Sequence, residues 1–289
     1  MCSAANALAC MVGAQLPPSE RHRVISPALR AGVVVAGRND EYATSSMGID
    51  LGIDEATRAA SLLGAGVEVV SRVGSIENAV ALVRRDRLSA MICAAGADEI
   101  AELGRECANL NTPLLNLTAS DDSLRNQRCS RFTFHVCASD AMQHRALTGF
   151  AASANQTDAT IELWSSRLER FGAAQLNDRF QSRFHRPMDS QAWAGWFAMK
   201  VAWEASLRVR SADGPAISGY LERETTQFDG QKGVPLSFRP WDHQLRQPLY
   251  AVAASRSSEP LSIPAATGAS RDELDVLGTT KEASSCHWG

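Results

Sequence analysis

The stretch L-R-A-G-V-V-V-A-G, residues 29–37, decides the fold class. It is a continuous run of small and β-branched apolar residues, which is typical of a strand buried on both faces. The following stretch, S-S-M-G-I-D-L-G-I-D-E-A-T-R-A-A-S-L-L-G (45–64), carries Met47 and Leu51 near helical spacing, and Gly64 is placed to end a helix. The sequence therefore predicts a strand followed by a helix.

The same pair of elements repeats as far as residue 136. Further strands and helices are predicted in alternation at V-E-V-V-S-R-V (67–73), S-I-E-N-A-V-A-L-V-R-R (75–85, with Ser75 as N-cap), L-S-A-M-I-C-A-A-G (88–96), A-D-E-I-A-E-L-G-R-E-C-A-N-L (97–110), T-P-L-L-N-L-T-A-S (112–120) and F-T-F-H-V (132–136). Apolar strands that alternate with helices form a parallel sheet with helices on both faces. The predicted fold class is therefore α/β.

Composition narrows the classes of function. The chain has 289 residues, of which 45% are hydrophobic, and a net charge of −3, which predicts a soluble globular protein with one α/β core or two lobes. No basic run is longer than Arg84-Arg85, so we expect no nucleic-acid partner and no membrane-surface patch. No window of eighteen uninterrupted apolar residues is present, so we predict no membrane-spanning segment.

The cysteines and the N-terminal residues leave two questions open. The seven cysteines include no C-x-x-C pair and no close histidine, so no zinc or other metal site is predicted. Cys93 fits a core strand, whereas Cys107 and Cys129 flank one predicted strand and are candidates for a disulfide in an oxidising compartment. Residues 1–14 are small and apolar without a positive start, and they are either the remainder of a secretory signal or a loose terminus.

Ligands of parallel sheets bind outside the carboxyl ends of the strands, and small or polar residues occur at three such ends. These candidate ligand-binding residues are Arg38 and Asn39 after the first strand, Ala95, Gly96 and Ala97 after the third, and Thr118, Ala119 and Ser120 after the fourth. Small residues give a ligand access to backbone N–H groups at a helix N-terminus. The same residue types also form ordinary tight turns, so both interpretations stay open. The fingerprint G-x-G-x-x-G is absent, and no cofactor is predicted.

The second half of the chain is organised differently. A strand is predicted at A-T-I-E-L-W (159–164), and an amphipathic helix at R-L-E-R-F-G-A-A-Q-L-N-D-R-F-Q-S-R-F (167–184). The helix that follows Ser190, its predicted N-cap, is rich in tryptophan and apolar around most of its circumference. We therefore expect it to pack against the sheet, with Trp193 and Trp196 buried.

The segment F-D-G-Q-K-G-V-P-L-S-F-R-P-W-D-H-Q-L-R-Q-P-L-Y (228–250) holds an aspartate, a histidine and two arginines within eight residues. Such a set is either a catalytic cluster or the polar side chains of strands and a turn. No residue is placed by the sequence to orient His243, which disfavours catalysis.

Four segments together carry a resemblance to a known family: the β-α-β run, R-F-G-A-A-Q-L-N-D-R-F (170–180), P-M-D-S-Q-A-W-A-G-W-F-A-M-K-V-A-W-E-A (187–205) and residues 228–250. The chain resembles type I periplasmic substrate-binding proteins of the branched-chain amino acid type. More narrowly, it is similar to the branch associated with pyrroloquinoline quinone-dependent alcohol oxidation, which L-D-V-L-G-T-T-K-E-A-S-S-C (274–286) also fits. The resemblance implies that Asp242 and His243 lie at an exposed turn between strands.

The resemblance also implies a division of the chain into lobes. The expected division is an N-terminal segment (1–29), a first α/β lobe (30–136 and 187–245), a second lobe (137–186 and 246–258) and a C-terminal tail (259–289). Only about fifty residues with one clear strand lie between the first crossover and the late helices, so we expect a reduced second lobe. An acidic partner for a ligand ammonium is not evident at the matching position of that lobe.

The function implied is therefore non-catalytic. We expect a substrate-binding protein of an ABC-transporter-like system that binds a small polar or anionic solute, with an ABC permease or a quinoprotein dehydrogenase as partner. A periplasmic location is expected if a signal precedes this start site. The alternative is a partner-binding or sensory protein that has kept the lobe without a transport ligand. Nucleophile-elbow, metal and phosphate-loop motifs are absent, which disfavours an enzyme.

Overall fold

The first lobe is built on a five-stranded parallel sheet. The computed structural model describes residues 28–36, 41–154, 159–253, 259–264 and 271–286. The strands are β1 (Ala28–Val35), β2 (Gly66–Val73), β3 (Ala90–Ala94), β4 (Leu114–Asn116) and β5 (Thr133–His135). Their order is β2-β1-β3-β4-β5, and all four neighbouring pairs are parallel. The α/β class with a parallel sheet is thus confirmed.

Helices cover both faces of this sheet. They are α1 (Ala43–Leu63), α2 (Ile76–Arg85), α3 (Ala97–Asn109) and, from the second half of the chain, α6 (Ser190–Val209). Helices α1 and α6 share one apolar core with β1 and β3, whereas α2 and α3 form the core of the other face. Trp193 and Trp196 are 0% and 2% exposed, so the prediction that the tryptophan-rich helix packs against the sheet is confirmed.

Helices α1 and α6 approach each other closely because glycines lie at their contact. A Cβ atom at Gly48 would lie 1.8 Å from the backbone oxygen of Ala192, and one at Gly195 would lie 2.4 Å from the oxygen of Ser45. Neither site has room for a side chain. Glycine therefore allows the two helix backbones to come into direct contact.

The second lobe contains a smaller sheet. Helix α4 (Asp140–Ala154), which the sequence did not predict, packs against β6 (Ala159–Glu162), β10 (Leu249–Ala253) and β11 (Leu261–Ile263). The strand order is β11-β10-β6, and both pairs are antiparallel. Residues 261–263, in the segment assigned to the C-terminal tail, thus add a strand to this sheet. In the described residues the second sheet has three strands against five in the first.

Two local predictions in the second half are wrong. Helix α5 (Ala173–Phe184) begins six residues later than predicted, because Phe171 and Gly172 both adopt left-handed backbone conformations, with φ of 58° and 88°. The N-cap of α6 is Asp189, whose carboxylate accepts the N–H of Ala192. In the first lobe, Ser75 does cap α2 and Gly64 does end α1, as predicted.

The segment 239–247 is buried, so the prediction that Asp242 and His243 lie at an exposed turn is wrong. Helix α7 (Gly214–Leu221) precedes the hairpin strands β7 (Phe228–Asp229), β8 (Pro235–Phe238) and β9 (Leu245–Arg246). Asp242 and His243 are 1% and 0% exposed. The segment can be buried because its polar side chains, such as those of Arg239 and Arg246, form hydrogen bonds with residues that are distant in the sequence.

The C-terminal residues supply these partners. Helix α8 (Arg271–Asp275) carries Asp275, whose Oδ1 accepts hydrogen bonds from Nε of Arg239 (3.1 Å) and Nε of Arg246 (2.6 Å). Further along, Cys286 forms a disulfide with Cys129. The candidate pair of Cys107 with Cys129 is therefore wrong, since Cys107 is a free thiol buried between α3 and the sheet.

Candidate functional site

A cleft of about 360 Å³ lies between the carboxyl edge of the first sheet and the second sheet. The first lobe contributes residues that follow β4 and β5, together with Tyr42 before α1, and the second lobe contributes the ends of β6 and β10. The lining residues are Glu41, Tyr42, Leu117, Thr118, Ser120, Cys137, Ala138, Gln143, Ile161, Glu162, Leu163, Ser190, Gln191 and Leu249. The cleft therefore has an apolar wall with polar groups on both lobes.

The loop after β4 holds two of the predicted site residues at this cleft. The buried side chain of Asn116 fixes the loop: its Oδ1 accepts the N–H groups of Thr118 (3.2 Å) and Ala119 (3.0 Å), and its Nδ2 donates to the oxygen of Ala119 (2.8 Å). Ala119 itself is buried. Thr118 and Ser120 line the cleft, and no hydrogen-bond partner of the Ser120 hydroxyl is found among the described residues.

The loop after β3 is placed differently. The N–H of Ala95 donates to Oγ1 of Thr118 (2.9 Å), and the N–H of Gly96 donates to Oε2 of Glu99 (2.9 Å). Ala97 begins α3. These two N–H groups are thus already bonded within the protein; Ala95 supports the β4 loop through Thr118, and none of the three residues lines the cleft. Arg38 and Asn39 lie outside the described residues.

Several lining residues were missed by the sequence analysis, and Glu162 is the most important of them. It ends β6, opposite Tyr250 of β10, and Oε1 accepts the hydroxyl of Thr160 at 3.2 Å. Its position as the last polar residue of a predicted strand was the available signal. Among the described lining residues, Glu41 and Glu162 are carboxylates and none is lysine or arginine.

Burial changes the ionisation of two groups in the cleft. Burial, followed by the hydrogen bond and charge of Glu41, raises the pKa of Tyr42 to about 12, so this phenol stays protonated at neutral pH. Burial also raises the pKa of Glu162, an effect that the hydroxyl of Thr160 and the charge of Arg167 oppose. A partly desolvated carboxylate of this kind favours a cationic or hydrogen-bond-donating group beside it.

The buried cluster around His243 is separate from the cleft. Its ring stacks on Phe134 with the centroids 4.3 Å apart, and burial, followed by the charge of Arg131, lowers its pKa to about 3. Asp242 accepts the N–H of Gln244 at 3.0 Å and lies 3.6 Å from Nη1 of Arg239. Neither side chain is among the described residues that line the cleft.

Two further features of the described residues bear on function. In the part of the chain that the structure describes, no group of three or more histidine, cysteine or carboxylate side chains is placed to hold a metal ion. None of the described helices combines the length and apolar character needed to cross a lipid bilayer.

Comparison with known proteins identifies the architecture. No family model and no curated protein matches the sequence. A periplasmic binding protein from Burkholderia mallei has a TM-score of 0.72 and 10% identity, and the alignment covers 90% of this chain and 98% of that one. The chain has the fold of type I periplasmic binding proteins.

Two structures with a similar fold contain ligands. One is LivJ, the substrate-binding protein of a branched-chain amino acid transporter from Streptococcus pneumoniae, solved with isoleucine. It has a TM-score of 0.67 and 13% identity, and the alignment covers 81% of this chain and 99% of that one. The other is a solute-binding protein of an ABC transporter from Rhodopseudomonas palustris, solved with benzoate. It has a TM-score of 0.67 and 12% identity, and the alignment covers 90% of this chain and 100% of that one. At these identities the likeness establishes the fold alone.

Proposed function

We propose that the protein is a non-catalytic solute-binding protein of an ABC-transporter-like system, with its solute in the cleft between the two lobes. The observation that carries the proposal is the cleft itself. It lies at the carboxyl edge of a parallel sheet, as ligand sites of α/β sheets do, and both lobes line it. The likeness to binding proteins that hold isoleucine and benzoate supports the same assignment.

The lining favours a small solute with an apolar body and a donor group. Leu117, Ile161 and Leu249 offer apolar contact, whereas Glu162 and the Ser120 hydroxyl offer hydrogen bonds. Of the polar and anionic solutes expected from the sequence, the described lining favours a polar one that presents a cation or N–H donor to Glu162. A purely anionic solute meets two carboxylates and no cation in that lining.

A permease partner and a periplasmic location are part of this proposal, because the structural relatives are named as periplasmic or ABC-transporter binding proteins. The link to quinoprotein alcohol oxidation rests on the sequence resemblance. We keep it as the narrower form of the proposal, to be tested through the choice of solutes.

Calorimetric titration of the full chain tests the function. The solutes are leucine and isoleucine, aliphatic amines, benzoate, pyrroloquinoline quinone, and short alcohols and acids. Leucine, isoleucine or an amine should bind, and Glu162→Gln should weaken that binding about tenfold or more, because a hydrogen bond to a charged group contributes about 1.5–3 kcal/mol. Ser120→Ala should weaken binding of the same solute about fivefold, since a neutral hydrogen bond contributes about 1 kcal/mol.

The matched control is Glu102→Gln, which changes an exposed carboxylate of α3 outside the cleft and should leave binding unchanged. A solute that binds wild type and both cleft variants equally well would place the site elsewhere. If no solute binds at all, the alternative of a partner-binding or sensory protein that has kept the lobe is favoured. Binding of the quinone or an alcohol alone would favour the narrower, quinoprotein-linked form.

A further inference from the structure

Lys232 occupies an unusual position for a lysine. It follows β7, its side chain is fully buried, and the chain contains only two other lysines, Lys200 and Lys281. Its Nζ donates to the backbone oxygen of Leu163 (2.7 Å), to Oε1 of Gln247 (2.9 Å) and to the backbone oxygen of Pro248 (3.3 Å). An ammonium has three N–H donors, so each oxygen accepts one of them.

These acceptors belong to the chain segments that join the two lobes. Leu163 directly follows β6, where the chain leaves the second lobe before the expected boundary at residue 186, because α5 contacts α1 of the first lobe. Pro248 directly precedes β10, where the chain enters the second lobe again. Gln247 extends the set, because its Nε2 donates to the oxygen of Val136 at 2.7 Å. Val136 directly follows β5, at the first passage between the lobes. One side chain and its amide neighbour thus connect three crossovers.

The surroundings of Lys232 are aromatic and lack a carboxylate partner. Nζ lies 3.9 Å from the ring centroid of Trp193 and 5.4 Å from that of Tyr250, and no salt bridge to Lys232 is found among the described residues. Burying a charge without a counter-ion is costly unless hydrogen bonds and ring faces replace water. Burial lowers the pKa of Lys232 well below its usual value, whereas the three acceptor oxygens and the two ring faces favour the ammonium form. Lys232 does not line the cleft, so direct contact with a solute there does not explain why a lysine is buried at this position.

We infer that Lys232 is a positioning residue for the cleft: together with Gln247 it fixes the three crossovers relative to one another and so holds the two lobes at one angle. The cleft walls come from different lobes, with Ser120 on one side and Glu162 on the other. Their separation therefore depends on the crossovers. This consequence for binding rests on the proposed function, whereas the effect on the crossovers does not.

Hydrogen exchange of the full chain, read by mass spectrometry, tests the inference without a ligand. Lys232→Met keeps an unbranched side chain that is one atom shorter and removes all three donors. We expect at least tenfold faster exchange in peptides covering 136–139, 163–166 and 247–250, with peptides of β1 and β3 within twofold of wild type. Lys200→Met is the control: Lys200 pairs with Glu204 on the outer part of α6, and this variant should exchange like wild type throughout.

Two exchange results for Lys232→Met would overturn the inference. One is wild-type exchange at the crossovers; the other is an equal acceleration in every peptide, which a loss of global stability alone would produce. If Lys232→Met does not fold, Gln247→Leu decides, because it removes the bond to Val136 and should accelerate 136–139 most. Unchanged exchange there would equally refute the assignment.

Ligand binding then separates the two proposals. With a solute found by titration, Lys232→Met should lower its affinity about tenfold, although the variant changes no residue of the cleft lining. Failure of all solutes to bind would remove the proposed function and leave the exchange result to stand by itself. An unchanged affinity in a variant with loosened crossovers would show that the angle between the lobes does not control the cleft, and would refute the positioning role.

Discussion

The contact between α1 and α6 gives the most direct test of the structure through the substitution Gly48→Ala. Alanine is ordinarily favoured over glycine inside a helix by roughly 1 kcal/mol. At Gly48 the added Cβ would lie 1.8 Å from the oxygen of Ala192, a backbone atom that cannot rotate away. An ordinary carbon–oxygen contact is about 3.3 Å, so the helices must separate by well over an ångström.

The expected loss follows from this separation. Overpacking a well-packed core costs about 1–3 kcal/mol, and occasionally more. Because the clash involves two backbones that also carry the buried contacts of Trp196 and Met199, we expect the upper part of that range or beyond it. After subtraction of the helix-propensity gain, the net loss in the free energy of unfolding should be about 2 kcal/mol or more.

Gly149→Ala is the matched control. Gly149 lies inside α4, and a Cβ atom there would meet nothing within 4 Å. This variant should gain about 0.5–1 kcal/mol. Urea unfolding followed by circular dichroism measures both variants, and their difference should be about 3 kcal/mol with similar m-values. Equal stability of Gly48→Ala and Gly149→Ala would refute the direct backbone contact between α1 and α6.

Two other predictions concern buried residues of the first lobe. The pKa of His243 is lowered to about 3 from an ordinary 6.5, so the unfolded chain binds a proton that the folded chain does not. The free energy of unfolding should therefore fall as the pH is lowered from 6.5 towards 3, by at most about 1.4 kcal/mol per pH unit from this residue. His243→Gln should reduce the slope of unfolding free energy against pH. An identical slope for variant and wild type in urea titrations between pH 7 and 5 would contradict this. Trp196→Ala should lower the free energy of unfolding by about 3–5 kcal/mol, and Trp196→Phe by clearly less, because alanine leaves a buried cavity. A loss below about 1 kcal/mol for Trp196→Ala in thermal or urea unfolding would show that α6 is not packed as described.

The first sheet could be predicted because its information is local. Each strand is an apolar run of the chain, and residues such as Ser75 and Gly64 mark helix ends within one turn. The same reasoning missed α4, whose sequence D-A-M-Q-H-R-A-L-T-G-F-A-A-S-A mixes small and polar residues without a clear apolar stripe. Its buried side chains, Met142, Ala146 and Phe150, are defined by the second sheet beneath them.

The buried segment 239–247 shows why polar residues can be assigned wrongly to the surface when only the sequence is known. Arg239 and Arg246 read as solvent-exposed, but both donate to Asp275, which lies about thirty residues further along the chain. Gln244 donates to the oxygens of His135 and Cys137, more than a hundred residues earlier. A buried polar group needs its partners present, and sequence alone does not reveal partners at such separations.

The candidate site was predictable in part for the same reason. The rule that ligands lie at the carboxyl ends of parallel strands led to Thr118 and Ser120, which line the cleft. It did not lead to Glu162, because that residue faces the cleft only after β6 pairs with β10, about ninety residues later. The rule also does not show which backbone N–H groups already donate a hydrogen bond within the protein. The N–H of Gly96, for example, donates to Glu99.

The pairing of β6 with β10 also determines the order in which the molecule can be completed during synthesis from the N-terminus. All five strands of the first sheet are present once residue 135 has emerged, but the face that α6 covers remains open until residues 190–209 follow. Strand β6 has to wait longer, because in the described chain its only strand partner is β10. The second sheet therefore cannot begin to pair its strands until about 250 residues have been made, and a shorter nascent chain exposes apolar surface that a chaperone would recognise.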